Sequence, residues 1–182
     1  MKIAVFCSSS NSIAEKYKQT GFLLGQLIAE QGNTLVFGGA TGGLMDSVSE
    51  GAHSKNGNII GVISQAIIKM NRQSSLSTEL ITVETMSQRK AQMKELADIF
   101  IVLPGSYGTL DEMLDVVTSG IVGEHKKPLI IVNLDGFYNQ FLSQINYMRS
   151  EYFIPVEEKY KPLICTDIYH CIELINSAIK NS

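Results

Sequence analysis

Six short apolar runs separated by stretches of helical period constrain the fold of this chain more than any other feature. Ile3 to Cys7, Thr34 to Phe37, Ile59 to Ile63, Leu80 to Val83, Ile99 to Leu103 and Leu129 to Val132 read as strands. Each is apolar at consecutive positions, so both faces must be covered, as in a parallel sheet with helices on its two sides. Helical patterns run from Ile13 to Gln31, Leu44 to Lys55, Met86 to Leu96, Leu110 to Val122, Phe137 to Arg149 and Ile168 to Ile179. Parallel neighbours need such crossovers. The alternation therefore predicts an α/β fold: a doubly wound, Rossmann-like parallel sheet flanked by helices, as a single domain over residues 1–182.

Composition narrows the function classes. A net charge of −3 argues against a broad electrostatic footprint on nucleic acid or an anionic membrane, so any phosphate site must be local. No apolar run reaches the roughly 18 residues of a membrane span. The apolar start is broken by Ser8, Ser9 and Ser10 too soon for a secretory leader. Cys7, Cys165 and Cys171 lack metal-ligand spacing and read as reduced thiols, which places the protein in the cytoplasm. His53, His125 and His170 stand alone, so no metal is expected, and no serine sits in a G-x-S-x-G elbow. The polar tract from Gln65 to Ser77 reads as a mobile loop.

In open α/β sheets ligands bind beyond the carboxyl ends of the strands, which directs attention to three loops. The first, Gly38-Gly39-Ala40-Thr41-Gly42-Gly43, joins a strand to a helix. Four glycines let backbone approach a ligand, with helix N–H groups behind them, so Gly39, Gly42 and Gly43 are candidate ligand contacts; the alternative is a tight turn. The serines after the first strand either meet a ribose or phosphate or cap the first helix.

The second loop, Pro104-Gly105-Ser106-Tyr107-Gly108-Thr109, also opens a helix. Its glycines, hydroxyls and helix N–H groups suit a phosphate, although no Gly-Lys-Ser/Thr follows and it is not a Walker loop. Thr109-Leu110-Asp111-Glu112 fits a capping box, in which Glu112 would only satisfy the Thr109 amide. Against that, Glu112, Asp115 and Thr118 recur three apart on one face of an otherwise apolar helix, like one wall of a cleft. Both readings of Glu112 stand at this point.

The third loop leads into Thr85-Met86-Ser87-Gln88-Arg89-Lys90. Thr85 and Gln88 again fit a capping box, which puts Arg89 and Lys90 near a helix start, where cations oppose the macrodipole. They are either solvated surface charges or grips on an anion held against the phosphate loop.

Two of these segments resemble a known family. Met86 to Lys90 is similar to M-H-x-R-K, and Pro104 to Glu112 to P-G-G-x-G-T-x-x-E, of the LOG ("Lonely guy") family of cytokinin riboside 5′-monophosphate phosphoribohydrolases, which also carries a lysine decarboxylase label. The resemblance extends over Val5 to Ser10, Gly38 to Met45, Gly61 to Ile63 and Asn133 to Tyr138. It implies a Rossmann-like homodimer that hydrolyses the N-glycosidic bond of a nucleoside 5′-monophosphate, AMP or a cytokinin riboside monophosphate, without a cofactor. Arg89 and Glu112 match its catalytic pair. Lys90, the loop Ser106 to Thr109 and Thr118 match substrate contacts; Met86 and Gly105 are further candidate contacts, Asp115, one turn beyond Glu112, is a candidate helper, and the helix ending in Val116, Val117, Ile121 and Val122 suits a dimer interface.

The chain departs from the pattern at Ser8, Asp46, Ser87, Ser106 and Ser119. Ser106 replaces a glycine, and its Cβ either obstructs a backbone that needs positive φ or brings a hydroxyl to the phosphate. Two other readings compete. One is a carrier that binds a nucleotide or the molybdenum cofactor without cleaving it. The other is pyridoxal-phosphate decarboxylation, for which Lys90 would be the Schiff-base lysine.

Overall fold

The computed structural model describes residues 1–180. All seven strands are parallel, in the order β4-β3-β2-β1-β5-β6-β7. They are β1 (Lys2–Phe6), β2 (Thr34–Phe37), β3 (Asn58–Ser64), β4 (Glu79–Val83), β5 (Ile99–Val102), β6 (Leu129–Val132) and β7 (Leu163–Cys165). The helices are α1 (Glu15–Glu30), α2 (Gly43–Ser54), α3 (Gln65–Ile68), α4 (Met86–Leu96), α5 (Tyr107–Val122), α6 (Asn139–Ser150) and α7 (Ile168–Lys180).

The six expected strands and six expected helices are present, within three residues at each end. The strand β7 and the one-turn α3 are additional. Leu163 and Ile164 are both exposed, so β7 lacks the doubly buried run that marks the others.

Successive strand residues point to opposite faces and build two cores. Ile3, Val5, Leu35 and Phe37 pack with Leu24 of α1, Val48 of α2 and Cys171 of α7. Ala4, Phe6, Val36 and Phe100 face Met93 of α4, Val116 of α5 and Tyr138. Val116 is therefore a core residue and cannot serve an interface, whereas Leu114, Ile121 and Val122 of the same helix are exposed. Helices α1 and α2 approach at Gly25, where a Cβ would lie 2.0 Å from the Val48 carbonyl oxygen.

The chain lays down strands from β1 outward to β4, then crosses to the other side of β1 with β5. The loops after β1 and β5 thus diverge, opening the crevice that doubly wound sheets use for ligands. Ser8, Ser10, Pro104, Gly105 and Ser106 line it over an apolar floor that includes Tyr17, Leu44 and Phe137, a cleft of about 250 Å³.

Candidate active site

Helix α5 starts at Tyr107, with Ser106 as its N-cap residue, three positions earlier than its apolar period suggests. This shift decides the reading of Glu112. Thr109 lies inside the first turn instead of capping it, so the Thr109–Glu112 capping box does not form. The Thr109 side chain turns back toward Gly105, where a Cβ would lie 2.0 Å from its Oγ1. Glu112 is released to the interior, and its Oε1 accepts a hydrogen bond from Arg89 Nη2 at 2.8 Å. The expected box at α4 does form, with Thr85 Oγ1 accepting from Gln88 N and Gln88 Oε1 accepting from Thr85 N. It fixes the turn that carries Arg89.

Arg89 and Glu112 are each only 5% exposed. Arg89 Nη1 reaches the Met86 sulfur at 3.7 Å, and Nε has no partner among the described residues. A buried guanidinium with one carboxylate and unfilled donors is suited to an additional anion or polar ligand. Its Nη2 lies over Gly38, where a Cβ would come within 2.0 Å, so only glycine admits this side chain. Burial pushes the Glu112 carboxyl up to about 7; Arg89 opposes the shift, Asp111 adds to it and Lys90 opposes it. A carboxyl that titrates near neutrality is poised for proton transfer. Cys7 is buried beneath the pair, its thiol pushed up by burial and then by Glu112.

The N-terminus of α5 is open. Among the described residues no side chain caps it, and no carbonyl takes the N–H groups of Tyr107, Gly108 or Thr109. Ser106 has φ −107° and ψ −153°, an extended conformation that any residue adopts, so a serine here strains nothing. Its hydroxyl makes no cap bond and lines the crevice.

The glycine loop differs. The α2 N–H groups behind it already have partners: Gly43 N donates to Asn11 Oδ1, and Leu44 N and Met45 N to the Ser8 carbonyl. Gly42 (φ 114°) and Gly43 (φ 54°) let the serine loop sit directly on the backbone, since a Cβ at either would fall 2.3 Å from a carbonyl oxygen of Ser9 or Ser10. Gly39, at φ 65°, packs against Ile63. The N–H groups of Gly43, Leu44 and Met45 are thus engaged within the chain and do not form an open anion cradle like the start of α5.

Lys90 donates to Asp111 at 2.8 Å and lies 3.9 Å from Asp115, whose carboxylate also meets Lys94 at 2.8 Å. Lys94 donates in turn to Ser119 Oγ. These pairs knit α4 to α5 beside the buried Arg89–Glu112 pair. The hydrogen bond to Asp111 raises the Lys90 pKa, the reverse of what a Schiff-base lysine requires. Thr118 is exposed, and its hydroxyl donates to the Leu114 carbonyl, so the expected Glu112–Asp115–Thr118 wall reduces to Glu112 alone facing the interior. His125 hydrogen-bonds the Val116 carbonyl between Phe100 and Tyr160, a structural role. Among the described residues no cluster of His, Cys, Asp and Glu could hold a metal ion, and no helix is long and apolar enough to cross a membrane.

Two contributors escaped the sequence reading. Arg72 reaches from the expected mobile loop to the Thr41 and Ser9 carbonyls, and Tyr138 Oη donates to the Leu103 carbonyl beneath the loop that leads into α5. No spacing in the sequence marks Arg72. Tyr138 stood within a segment of family resemblance without an assigned task.

Fold and site together define a doubly wound α/β protein whose crest carries a buried Arg–Glu pair beside an open helix N-terminus. The profile of a family described as "Possible lysine decarboxylase" matches residues 45–174. The cytokinin riboside 5′-monophosphate phosphoribohydrolase LOG of Oryza sativa subsp. japonica is 41% identical over 153 residues, 84% of this chain and 63% of the rice protein. The phosphoribohydrolase LOG7 of Arabidopsis thaliana is 39% identical over 84% of this chain and 70% of its own length. The chain belongs to the LOG family, and spans somewhat less than two thirds of the rice relative. The molybdenum cofactor binding protein of Rippkaea orientalis superposes with a TM-score of 0.74 at 25% identity, covering 98% of this chain and 96% of that one.

Proposed function

We propose that the protein hydrolyses the N-glycosidic bond of a nucleoside 5′-monophosphate, AMP or a cytokinin riboside 5′-monophosphate, to free base and ribose 5-phosphate. The relatives named as phosphoribohydrolases support the substrate class. The observation that carries the chemistry is the buried Arg89–Glu112 pair, 2.8 Å apart, next to the open start of α5.

The 5′-phosphate rests on the N–H groups of Tyr107, Gly108 and Thr109 with the Ser106 hydroxyl, where the helix dipole favours an anion. Gly105 keeps Thr109 turned inward so that the turn stays open. As the C1′–N bond breaks, positive charge grows on the ribose ring, and the Glu112 carboxylate stabilises it. Water attacks C1′ and gives a proton to Glu112, which the raised pKa favours. The base leaves with the C1′–N electron pair and takes up a proton from solvent, so that free base and ribose 5-phosphate result once Glu112 returns its proton to water. Arg89 holds Glu112 and directs its unfilled donors at the departing base or the phosphate. Lys90 and Asp115 flank this centre on the α4–α5 side, and Met86 braces Arg89 through its sulfur.

The reading includes a cytoplasmic homodimer, with the exposed Leu114, Ile121 and Val122 of α5 in its interface. Sedimentation at micromolar concentration tests that; a monomer would refute it. Base release from a panel of nucleoside monophosphates and their nucleosides tests the reaction. Wild type and Glu112→Gln equally inactive on every nucleotide would overturn the hydrolase reading. Equal rates on nucleosides and nucleotides would overturn the phosphate seat.

A further inference from the structure

We propose that Arg72 is a positioning residue for the Arg89–Glu112 centre, acting through the loop after β2 on which Arg89 rests. The inference builds on the hydrolase reading for its kinetic consequence, but its geometry stands apart from it.

The segment after α3 runs antiparallel to the β2–α2 loop and holds it residue by residue. Ser74 N donates to the Gly39 carbonyl at 2.8 Å, Ala40 bridges Gln73, and Thr41 N donates to the Arg72 carbonyl at 2.7 Å. The Arg72 side chain then turns back over Gly42. Its Nη2 donates to the Thr41 carbonyl at 2.6 Å and reaches the Ser9 carbonyl at 3.3 Å. A Cβ on Gly42 would lie 3.1 Å from that nitrogen, so the crossing is tight.

Both ends of the clamp lead to the centre. On one side, Gly38 opens the same loop and is the bare surface under the Arg89 guanidinium. On the other, Ser9 follows Ser8, whose N–H donates to the Pro104 carbonyl and whose own carbonyl takes Leu44 N and Met45 N. One guanidinium thus ties together the loop that seats Arg89 and the loop that abuts the phosphate-binding turn. A charged donor shared between two carbonyls has no equivalent in an apolar side chain of similar length, and packed loops of this kind settle in discrete positions.

The test compares Arg72→Met and Arg72→Gln with wild type, using base release from AMP and the titration of Glu112 by carboxyl carbon NMR. The charged and titratable groups facing Glu112 are Arg89 and Lys90 of α4, Asp111 of α5 and Cys7 at the end of β1. If the Gly38 loop relaxes, Arg89 loosens and the Glu112 midpoint moves upward, by about half a unit. In parallel, kcat/KM for AMP falls about tenfold. Arg72→Gln keeps one N–H donor for the Thr41 carbonyl and is expected to lie between; it carries the test if the methionine variant does not fold. A folded variant whose Glu112 midpoint and kcat/KM both match wild type within error would overturn the proposal and leave Arg72 a purely structural tie. If wild type itself releases no base from any nucleotide, the hydrolase reading fails, and the Glu112 midpoints still decide the role of Arg72.

Discussion

Titrating Glu112 gives the sharpest test of the centre. Its carboxyl is 5% exposed and pushed up to about 7 from an ordinary value near 4.5, burial outweighing the Arg89 charge 2.8 Å away. Two consequences follow with opposite signs. The folded pKa lies above the unfolded one, so the protonated carboxyl is the form the fold prefers. Stability from this group is fully present below about pH 4.5 and is lost as pH rises to about 7, a change of roughly 3 kcal/mol. In the proposed mechanism the ionised form acts, so kcat/KM should rise about tenfold between about pH 6 and pH 8. Glu112→Gln cannot ionise; it should lose the stability slope in that window together with about 10²-fold or more of kcat/KM. Denaturant melts at stepped pH and initial rates of adenine release from AMP measure both. An active wild type whose rate is flat from pH 6 to 8, with a glutamine variant of similar activity, would refute the assignment of Glu112.

Gly38→Ala places a Cβ 2.0 Å from Arg89 Nη2, the mobile end of a side chain, so the protein should fold while the guanidinium is displaced. Base release should then drop about 10²-fold, and undiminished activity would contradict the seating of Arg89 on Gly38. Ser106→Gly removes a hydroxyl without relieving any strain, because φ is already −107°. Its melting curve should shift by less than about 1 kcal/mol, while KM for AMP rises by up to about tenfold; an unchanged KM would remove the hydroxyl from the phosphate seat. Gly25→Ala would drive a Cβ into the Val48 carbonyl and the Ala52 amide, both backbone, so α1 and α2 must part. A loss of about 3 kcal/mol in urea melts is expected; a loss near zero would show that the two helices can separate freely.

Much of the fold was legible in the sequence because strand burial and helix period are local properties. A run such as Ile99 to Leu103 is apolar at every position only if both faces are covered, and that alone called for parallel strands under helices. The capping box at Thr85 could be read for the same reason, since its two partners lie three residues apart. The similar pattern at Thr109 leaves two readings of Glu112 open, and the structure decides between them. Which residue begins a helix depends on where the preceding loop releases the chain, and the extended Ser106 starts α5 one turn early.

Family resemblance pointed to Arg89 and Glu112, but only the tertiary structure decided what they do to one another. They are 23 residues apart on different helices, and they meet because α4 and α5 pack on one face of the sheet while Gly38, from a third element, leaves room for the guanidinium. The raised Glu112 pKa arises from that shared burial and from no motif. The same holds for the first N–H groups of α2, which Asn11 and Ser8 engage, and for Arg72, whose carbonyl partners lie on two other loops. The sequence by itself determined the periodicities, the parallel doubly wound sheet and the segments from which the candidate site is built. The structure alone decided which donors stay open and which charges are buried together, because those depend on contacts between elements that no local pattern encodes.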